Sequence, residues 1–446
     1  MRWPLNALYL FVIVLLAPWL AWRAAKTGRY RRDLAAKLFG KMPPPVSRDA
    51  EALRSGARAV PEPSRSTVWF HGVSVGEIHL LVTVADAYRK RHPDARCIVS
   101  STTDTGLAEA RAKFADCTVV AWPFDFSWSV ANALDSVRPN LIVLAEAEMW
   151  PNFLAAAKAR SIPVAVINAR MSPRSFGRYR RVAGLARRLL FRNVSVMGVQ
   201  SPEYAERFRQ LGMDRVRVTG SVKYDGAVGD RDTPKGRELK RLLNVPLLLV
   251  AGSTHAPEEQ YVLAAFEQLR TSFPQLQLLL VPRHPDRFSE VAKLLEDSRL
   301  PFVRRSRITE PPPVAPAVIL LDTVGELGAA WGLADAGYVG GTLDGQRGGQ
   351  SMIEPAGYGV PTVFGPHVWN FRDAARRLIE VGGATGVRDA TELVAAFSVL
   401  LGDAAKRAAM GHAARQFVRE QQGATARTLD LLDELIGEER RVKWAA

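Results

Sequence analysis

Along most of this chain, short apolar runs alternate with longer stretches in which apolar positions return every three or four residues. Runs at residues 67–71, 97–101, 118–121, 141–144, 164–167, 194–199 and 216–219 read as strands, and the stretches between them read as helices. Such alternation predicts a parallel sheet with helices on both faces. A linking helix over 235–242 follows, and the pattern then restarts with strand-like runs at 247–251, 278–281, 318–321, 336–339 and 361–364. The expected fold is therefore α/β, with two doubly wound Rossmann-like domains joined near residues 235–245 and a cleft between them. Ligands of such sheets bind beyond the carboxyl ends of the strands, so the turns at those ends are the places to look for chemistry.

The first such turn is Trp69-Phe70-His71-Gly72-Val73-Ser74-Val75-Gly76-Glu77. Gly72 and Gly76 allow a sharp turn and a close approach to a ligand, which predicts a strand, a tight loop and a helix opening at Glu77. A carboxylate there faces whatever binds at the strand end. The competing reading is that Glu77 only complements the positive end of the helix. Glu146 and Glu148 follow the strand at 141–144, where alternate residues share a side, and either is a possible partner for Lys223, just past another strand end.

The N-terminus breaks the pattern. Residues 3–22 (WPLNALYLFVIVLLAPWLAW) carry no charge and have tryptophans at both ends, about the length of a membrane-spanning helix. Arg23, Lys26, Arg29, Arg31, Arg32, Lys37 and Lys41 follow, opposed only by Asp33. This asymmetry places the rest of the chain on the cytoplasmic side of an inner membrane, with the helix single-pass or monotopic. A cleaved signal peptide fits less well, because the basic cluster lies on the wrong side of the apolar run. Pro4 and Pro18 leave a shallow or broken insertion open. The expected organisation is an anchor at 1–22, a basic segment and spacer at 23–66, domains at 67–235 and 236–420, and a C-terminal helix at 421–446, packing back on the first domain.

The chain has 446 residues, 47% of them hydrophobic and 24% charged, which suits two globular cores and not a disordered protein. A net charge of +15 points to an anionic partner. Cys97 and Cys117 show no metal-ligand spacing and read as reduced, buried thiols. Arg170, Arg174, Arg178, Arg180, Arg181, Arg187, Arg188 and Arg192 come without an intervening acid and are mixed with Phe176, Tyr179, Leu185, Leu189, Leu190 and Phe191. That basic amphipathic segment suits lipid headgroups at a membrane surface. A nucleic-acid partner is not expected, since the arginine run has no stacking platform or recognised binding motif.

The second domain offers a nucleotide site. Pro282-Arg283-His284 follows the strand at 278–281, and the Arg283 guanidinium can stack on a base or take a phosphate. Val324-Gly325-Glu326 leads into a predicted helix, and Gly348-Gly349-Gln350-Ser351-Met352-Ile353-Glu354 is a glycine-rich approach to another. Free backbone N–H groups there would bind a phosphate without a metal, and Glu354 could accept both ribose hydroxyls. Trp369 and Asn370 are expected in the loop that closes this region.

The ordered set of motifs resembles the 3-deoxy-D-manno-octulosonic acid (Kdo) transferases of lipopolysaccharide assembly. It comprises residues 71–77, the STTDTG of 101–106, Glu146 to Asn152, Asn168 to Ser172, Gly220 to Asp225, Ala251 to His255, and Pro282 to His284. The resemblance implies a GT-B glycosyltransferase fold that moves Kdo from CMP-Kdo to a lipid A precursor, inverting the anomeric carbon and using no cofactor or metal. It implies that Glu77 is the general base, that Glu148 and Lys223 stabilise the transition state, and that the second domain holds CMP. From the arginine run itself, Arg170, Arg174, Arg178 and Arg181 are expected to face the acceptor or membrane. The chain departs from the family in having Glu146-Ala147-Glu148 for the common Glu-Thr-Glu, and Gln350-Ser351 for the common His-Asn. The alternatives are a GT-B nucleotide-sugar epimerase, which would need no anchor, and an anchored binding protein without turnover, which would not need Glu77, Glu148 and Lys223.

Overall fold

The computed structural model describes residues 2–27, 33–42, 66–146, 148–227, 229–243, 245–312 and 316–445. Residues 43–65 of the expected spacer, Arg29, Arg31, Arg32 and Ala147 lie outside them. The chain forms two compact units, one of Met1–Asp225 with Gly423–Ala446, the other of Gly226–Gln422.

The first unit holds a parallel sheet of β1 (Thr67–His71), β2 (Arg96–Ser101), β3 (Thr118–Ala121), β4 (Leu141–Ala145), β5 (Val164–Ala169), β6 (Val196–Val199) and β7 (Val216–Val218), in the order β3-β2-β1-β4-β5-β6-β7. Every residue of β1 and β4 is buried, as a sheet covered on both faces requires. Successive side chains feed opposite cores. Trp69 joins Ile98, Trp122, Ile142 and Phe153, while Val68 and Phe70 join Val99, Val143 and the C-terminal helix residues Leu429, Leu432 and Leu435. That last helix, Ala424–Ala445, is pinned to the helix Val75–Arg91 by Arg91, 2.7 Å from Asp430 and 2.9 Å from Asp433.

The division falls at Asp225 instead of within 235–245. The Asp225 carboxylate accepts the backbone N–H of Gly423 (2.7 Å) and of Thr425, so the two chain crossings are tied together there. The helix Pro234–Leu243 buries Leu239, Leu242 and Leu243 in the second unit.

The second unit is again a parallel sheet: β8 (Leu247–Thr254), β9 (Leu276–Pro282), β10 (Phe302–Arg304), β11 (Val318–Leu320), β12 (Ala336–Val339), β13 (Thr362–Phe364) and β14 (Ala384–Gly386), in the order β10-β11-β9-β8-β12-β13-β14. The sequence pattern misses β10 and β14. Both are three-residue edge strands without a full buried face, so neither carries an apolar run.

The N-terminal helix spans Arg2–Thr27, with Pro18 inside it. Its start is docked on the first unit through Asn6 and Tyr9, whereas Leu8, Leu10, Phe11, Val14 (71% exposed), Leu15, Trp19 and Trp22 face outward. Among the described residues no helix is long and apolar enough to cross a membrane, which leaves the expected anchor unconfirmed. After it, the short helix Leu34–Phe39 packs beside residues 124–129, where the Lys37 carbonyl accepts from Phe124 N–H and Ser129 Oγ, both at 2.7 Å.

Candidate active site

Strand order reverses between β1 and β4, the switch point at which open α/β sheets bind ligands. Glu77 follows β1, and Glu146 and Glu148 follow β4. The helix after β1 starts at Val75, earlier than expected, with Ser74 as its cap, which makes Glu77 the third residue of a capping box. Its Oε2 accepts Val73 N–H at 2.7 Å and its Oε1 accepts the Ser74 hydroxyl at 3.0 Å. Burial pushes the Glu77 carboxyl above its ordinary value and the negative charges of Glu146 and Glu148 add to that, while the Val73 and Ser74 bonds hold it down. The capping and catalytic readings are therefore compatible: two oxygens offer about four lone-pair sites, two of which are used here.

The STTDTG segment supports this turn. Ser101 Oγ and Thr103 Oγ1 both donate to Val73 O, at 3.0 and 2.7 Å. A Cβ at Gly106 would lie 2.8 Å from the same carbonyl, so only glycine lets the helix Asp104–Lys113 come this close.

Glu146, and not Glu148, is the partner of Lys223. Its carboxylate lies 3.8 Å from Lys223 Nζ and 3.3 Å from Arg170 Nε. β4 ends at Ala145 and Glu146 is left-handed, at φ 55°, a conformation uncommon for a residue with a side chain and typical of functional turns. The expected strand alternation thus stops before the acids, and the turn gathers them. Lys223 stands on a short turn after β7 that Asn168 holds, its Oδ1 accepting Val222 N–H at 3.1 Å. Burial lowers the Lys223 amine below its ordinary value, and Arg170 lowers it further, against the pull of Glu146 and Glu77. Glu148 is raised by burial and by Glu146. The result is a cluster of three acids and two bases at the ends of β1, β4, β5 and β7.

Arg170 therefore belongs to this cluster as much as to the basic segment. Beyond it, the helices Pro173–Arg181 and Ala183–Leu189 expose Arg174, Arg178, Arg180, Arg181, Arg187 and Arg188. Phe176 and Tyr179 anchor the first of these helices to the core. Tyr179 is raised by burial and by the charge of Glu148.

In the second unit the switch point lies between β8 and β12. Gln350 Nε2 lies 3.2 Å from His255 Nε2, and the His255 and His284 rings meet edge to face at 5.4 Å. Burial lowers His255 to about 4, helped by Arg347 and His284, so the ring is neutral. Pro282 is buried and the Arg283 side chain is exposed at the end of β9. Val324 is 77% exposed and Gly325 is left-handed. Glu326 is engaged by Arg305 at 3.1 Å and by the Thr323 hydroxyl, which suits fixing the turn better than meeting a ligand directly. Ser351 is half-buried, Met352 and Ile353 are buried, and Glu354 is exposed at the start of a helix only five residues long, Ile353–Gly357. Trp369 and Asn370 do close the glycine loop. Asn370 Nδ2 donates to Arg347 O at 2.8 Å, and a Cβ on Gly348 would strike the Trp369 ring. Among the described residues no group of three or more His, Cys, Asp or Glu is placed to hold a metal.

Residues 48–226 match the family model described as 3-deoxy-D-manno-octulosonic-acid transferase (kdotransferase). The chain is 34% identical over 392 residues to the 3-deoxy-D-manno-octulosonic acid transferase of Bordetella pertussis, covering 86% of this chain and 90% of that protein. The chain belongs to the Kdo transferase family. The Kdo transferase of Haemophilus influenzae is 32% identical, over 83% of this chain and 87% of its own. Among solved structures, MurG of Acinetobacter baumannii superposes with a TM-score of 0.52 at 15% identity, over 83% of this chain and 99% of that one. Two parallel-sheet α/β domains of the kind found in GT-B glycosyltransferases are thus present, and the protein is a glycosyltransferase that transfers Kdo.

Sequence reasoning missed two residues that hold this Kdo transferase's loops. Asn168, fully buried at the end of β5, holds the Lys223 turn through Val222 N–H. Glu258, fully buried after β8, accepts the N–H groups of Gly341 (2.6 Å), Thr342 (2.8 Å) and Leu343 (2.9 Å) and the Tyr338 hydroxyl (2.8 Å). Its signal was an acid three residues after His255, whose N–H it also accepts at 3.3 Å.

Proposed function

We propose that the protein moves Kdo from CMP-Kdo to a lipid A precursor with inversion, at the cytoplasmic face of the inner membrane. The observation that carries this reading is the cluster of Glu77, Glu146, Glu148, Lys223 and Arg170 at the switch point of the first sheet. Glu77 takes the proton of the acceptor hydroxyl, whose oxygen attacks the anomeric carbon from the face opposite the phosphate. The bond from that carbon to the phosphate oxygen breaks, its electron pair leaves with CMP, and no redox partner is needed. A base whose proton affinity is raised by burial takes the hydroxyl proton more readily than an ordinary glutamate. Glu148 and Lys223 stabilise charge that develops in the transition state.

Arg283 and the loop Ser351–Glu354 hold CMP, with Pro282, Val324, Gly325 and Glu326 shaping the pocket. Arg174, Arg178 and Arg181 meet anionic headgroups, and the exposed apolar side of the helix Arg2–Thr27 is immersed in the membrane. The test is incubation of the purified protein with CMP-Kdo and a lipid A precursor, followed by mass spectrometry. One or more added Kdo masses with matching CMP release are expected. Free Kdo or an isomerised donor without a heavier lipid would reject the reading.

A further inference from the structure

The helices Ser127–Val137 and Pro151–Ala159 both start without a side-chain cap of their own, since Phe126 and Trp150 stand at their cap positions. Their first N–H groups, buried at Asn152 and Phe153 and partly buried at Ser127, must find acceptors elsewhere. Two residues supply them. Asp125 accepts Asn152 N–H at 3.0 Å and Phe153 N–H at 2.8 Å, and Asn6 accepts Ser127 N–H at 3.1 Å.

The N-terminal helix ties the two caps together. Tyr9 donates its hydroxyl to Asp125 at 2.9 Å, and Asn6 receives Asn152 Nδ2 at 3.2 Å while donating to Ser127 Oγ at 2.7 Å. Asn6, Asp125 and Asn152 are each more than nine-tenths buried. Only Met149, Trp150 and Pro151 separate Glu148 from Asn152, and Met149 and Trp150 pack on the same core. A shift at Asn152 therefore has only four peptide bonds to cross before it reaches Glu148.

We infer that Asn6 and Tyr9 of the N-terminal helix are positioning residues for the transfer reaction, holding the Glu148 turn in place through the caps at Asp125 and Asn152. The helix then does more than tether: an undocked helix leaves the Ser127 N–H and the Asn152 side-chain amide without Asn6, removes the Tyr9 hydroxyl from Asp125, and so loosens the acid-bearing turn. This rests on the proposed role of Glu148, so the experiment separates the two claims.

The full chain carrying Asn6→Ala with Tyr9→Phe is compared with the parent in detergent micelles, alongside Glu148→Gln. Two quantities are read: amide exchange at Asn152 and Phe153, and transfer from CMP-Kdo with kcat and KM resolved. In the double variant exchange should quicken at least tenfold and kcat should fall on the order of tenfold, the scale of a sub-ångström misplacement. The KM for CMP-Kdo should stay within twofold, and kcat is expressed per CMP-binding site, because a loss of folded protein lowers apparent kcat without moving KM. Unchanged exchange, or faster exchange with kcat within twofold, overturns the inference. If Glu148→Gln is fully active, the site reading fails separately; a tenfold loss in the double variant then still supports positioning of the turn, and an unchanged kcat still rejects it.

Discussion

Replacing Glu77 by glutamine separates the two tasks that one carboxylate performs. The amide has one acceptor oxygen, so it can keep either the 2.7 Å bond from Val73 N–H or the 3.0 Å bond from Ser74 Oγ, but not both as they stand. Losing one such bond costs about 0.5–1.5 kcal/mol, a drop of roughly 1–3 °C in melting temperature for a unit of this size. Part of that returns, because removing a charge held above its ordinary proton affinity by burial and by Glu146 and Glu148 relieves their repulsion. The chemical loss is far larger. Without a base, transfer should fall by about 10² to 10⁴, or roughly 3–5 kcal/mol of barrier at 1.36 kcal/mol per tenfold. Melting temperature, CMP affinity and turnover at saturating donor and acceptor are measured on one preparation. Turnover within about threefold of the parent, with the melting temperature lowered, would leave Glu77 as a helix cap alone.

His71 is fully buried and stacked on Trp122 at 3.7 Å, and burial lowers its ring to about 3. The unfolded chain takes up that proton as pH falls below ~6.5 while the folded one does not, so stability is full above that pH and is lost towards pH 3, by up to about 1.4 kcal/mol per unit. His71→Phe should flatten the dependence of melting temperature on pH across this window, and an unchanged slope would refute the assignment. Arg283→Ala should weaken CMP binding ten- to a hundredfold by calorimetry, whereas Glu326→Ala should mainly lower stability, because Arg305 already holds that carboxylate. Glu258→Gln should cost at least about 1.5–3 kcal/mol in urea unfolding and weaken CMP binding with it; normal unfolding would show that the loop Gly341–Leu343 does not depend on the charge. Changing Arg174, Arg178 and Arg181 together to glutamine should reduce sedimentation with anionic vesicles by about 1 kcal/mol per charge, while binding to neutral vesicles stays the same.

The strand pattern was legible because both sheets are buried on both faces, which writes their inner strands as plain apolar runs. β10 and β14 escaped for the opposite reason, as short edges with mixed exposure. Glu77, Glu146 and Lys223 could be found because charged residues at strand ends stand out against such runs. Which acid pairs with Lys223 could not, since that depends on the left-handed turn at Glu146, and a glutamate does not advertise one. The caps on Ser127 and Asn152 were also hidden: they come from residues far away in sequence, where local rules look only a few positions upstream.

The docking of the N-terminal segment also fixes how it can meet lipid. Asn6 near one end of the helix, and the segment Leu34–Phe39 beyond the other, both settle on residues 124–129 of the same unit. From Thr27 to Asp33 the chain can reach about 20 Å at most, too little to return across a bilayer. If the apolar side is immersed as proposed, it must therefore enter and leave through a single leaflet, widening that leaflet and leaving the other untouched. Attachment of this kind responds to lateral packing and curvature, so the crowding of the leaflet that holds the acceptor would itself set how much of the protein is bound.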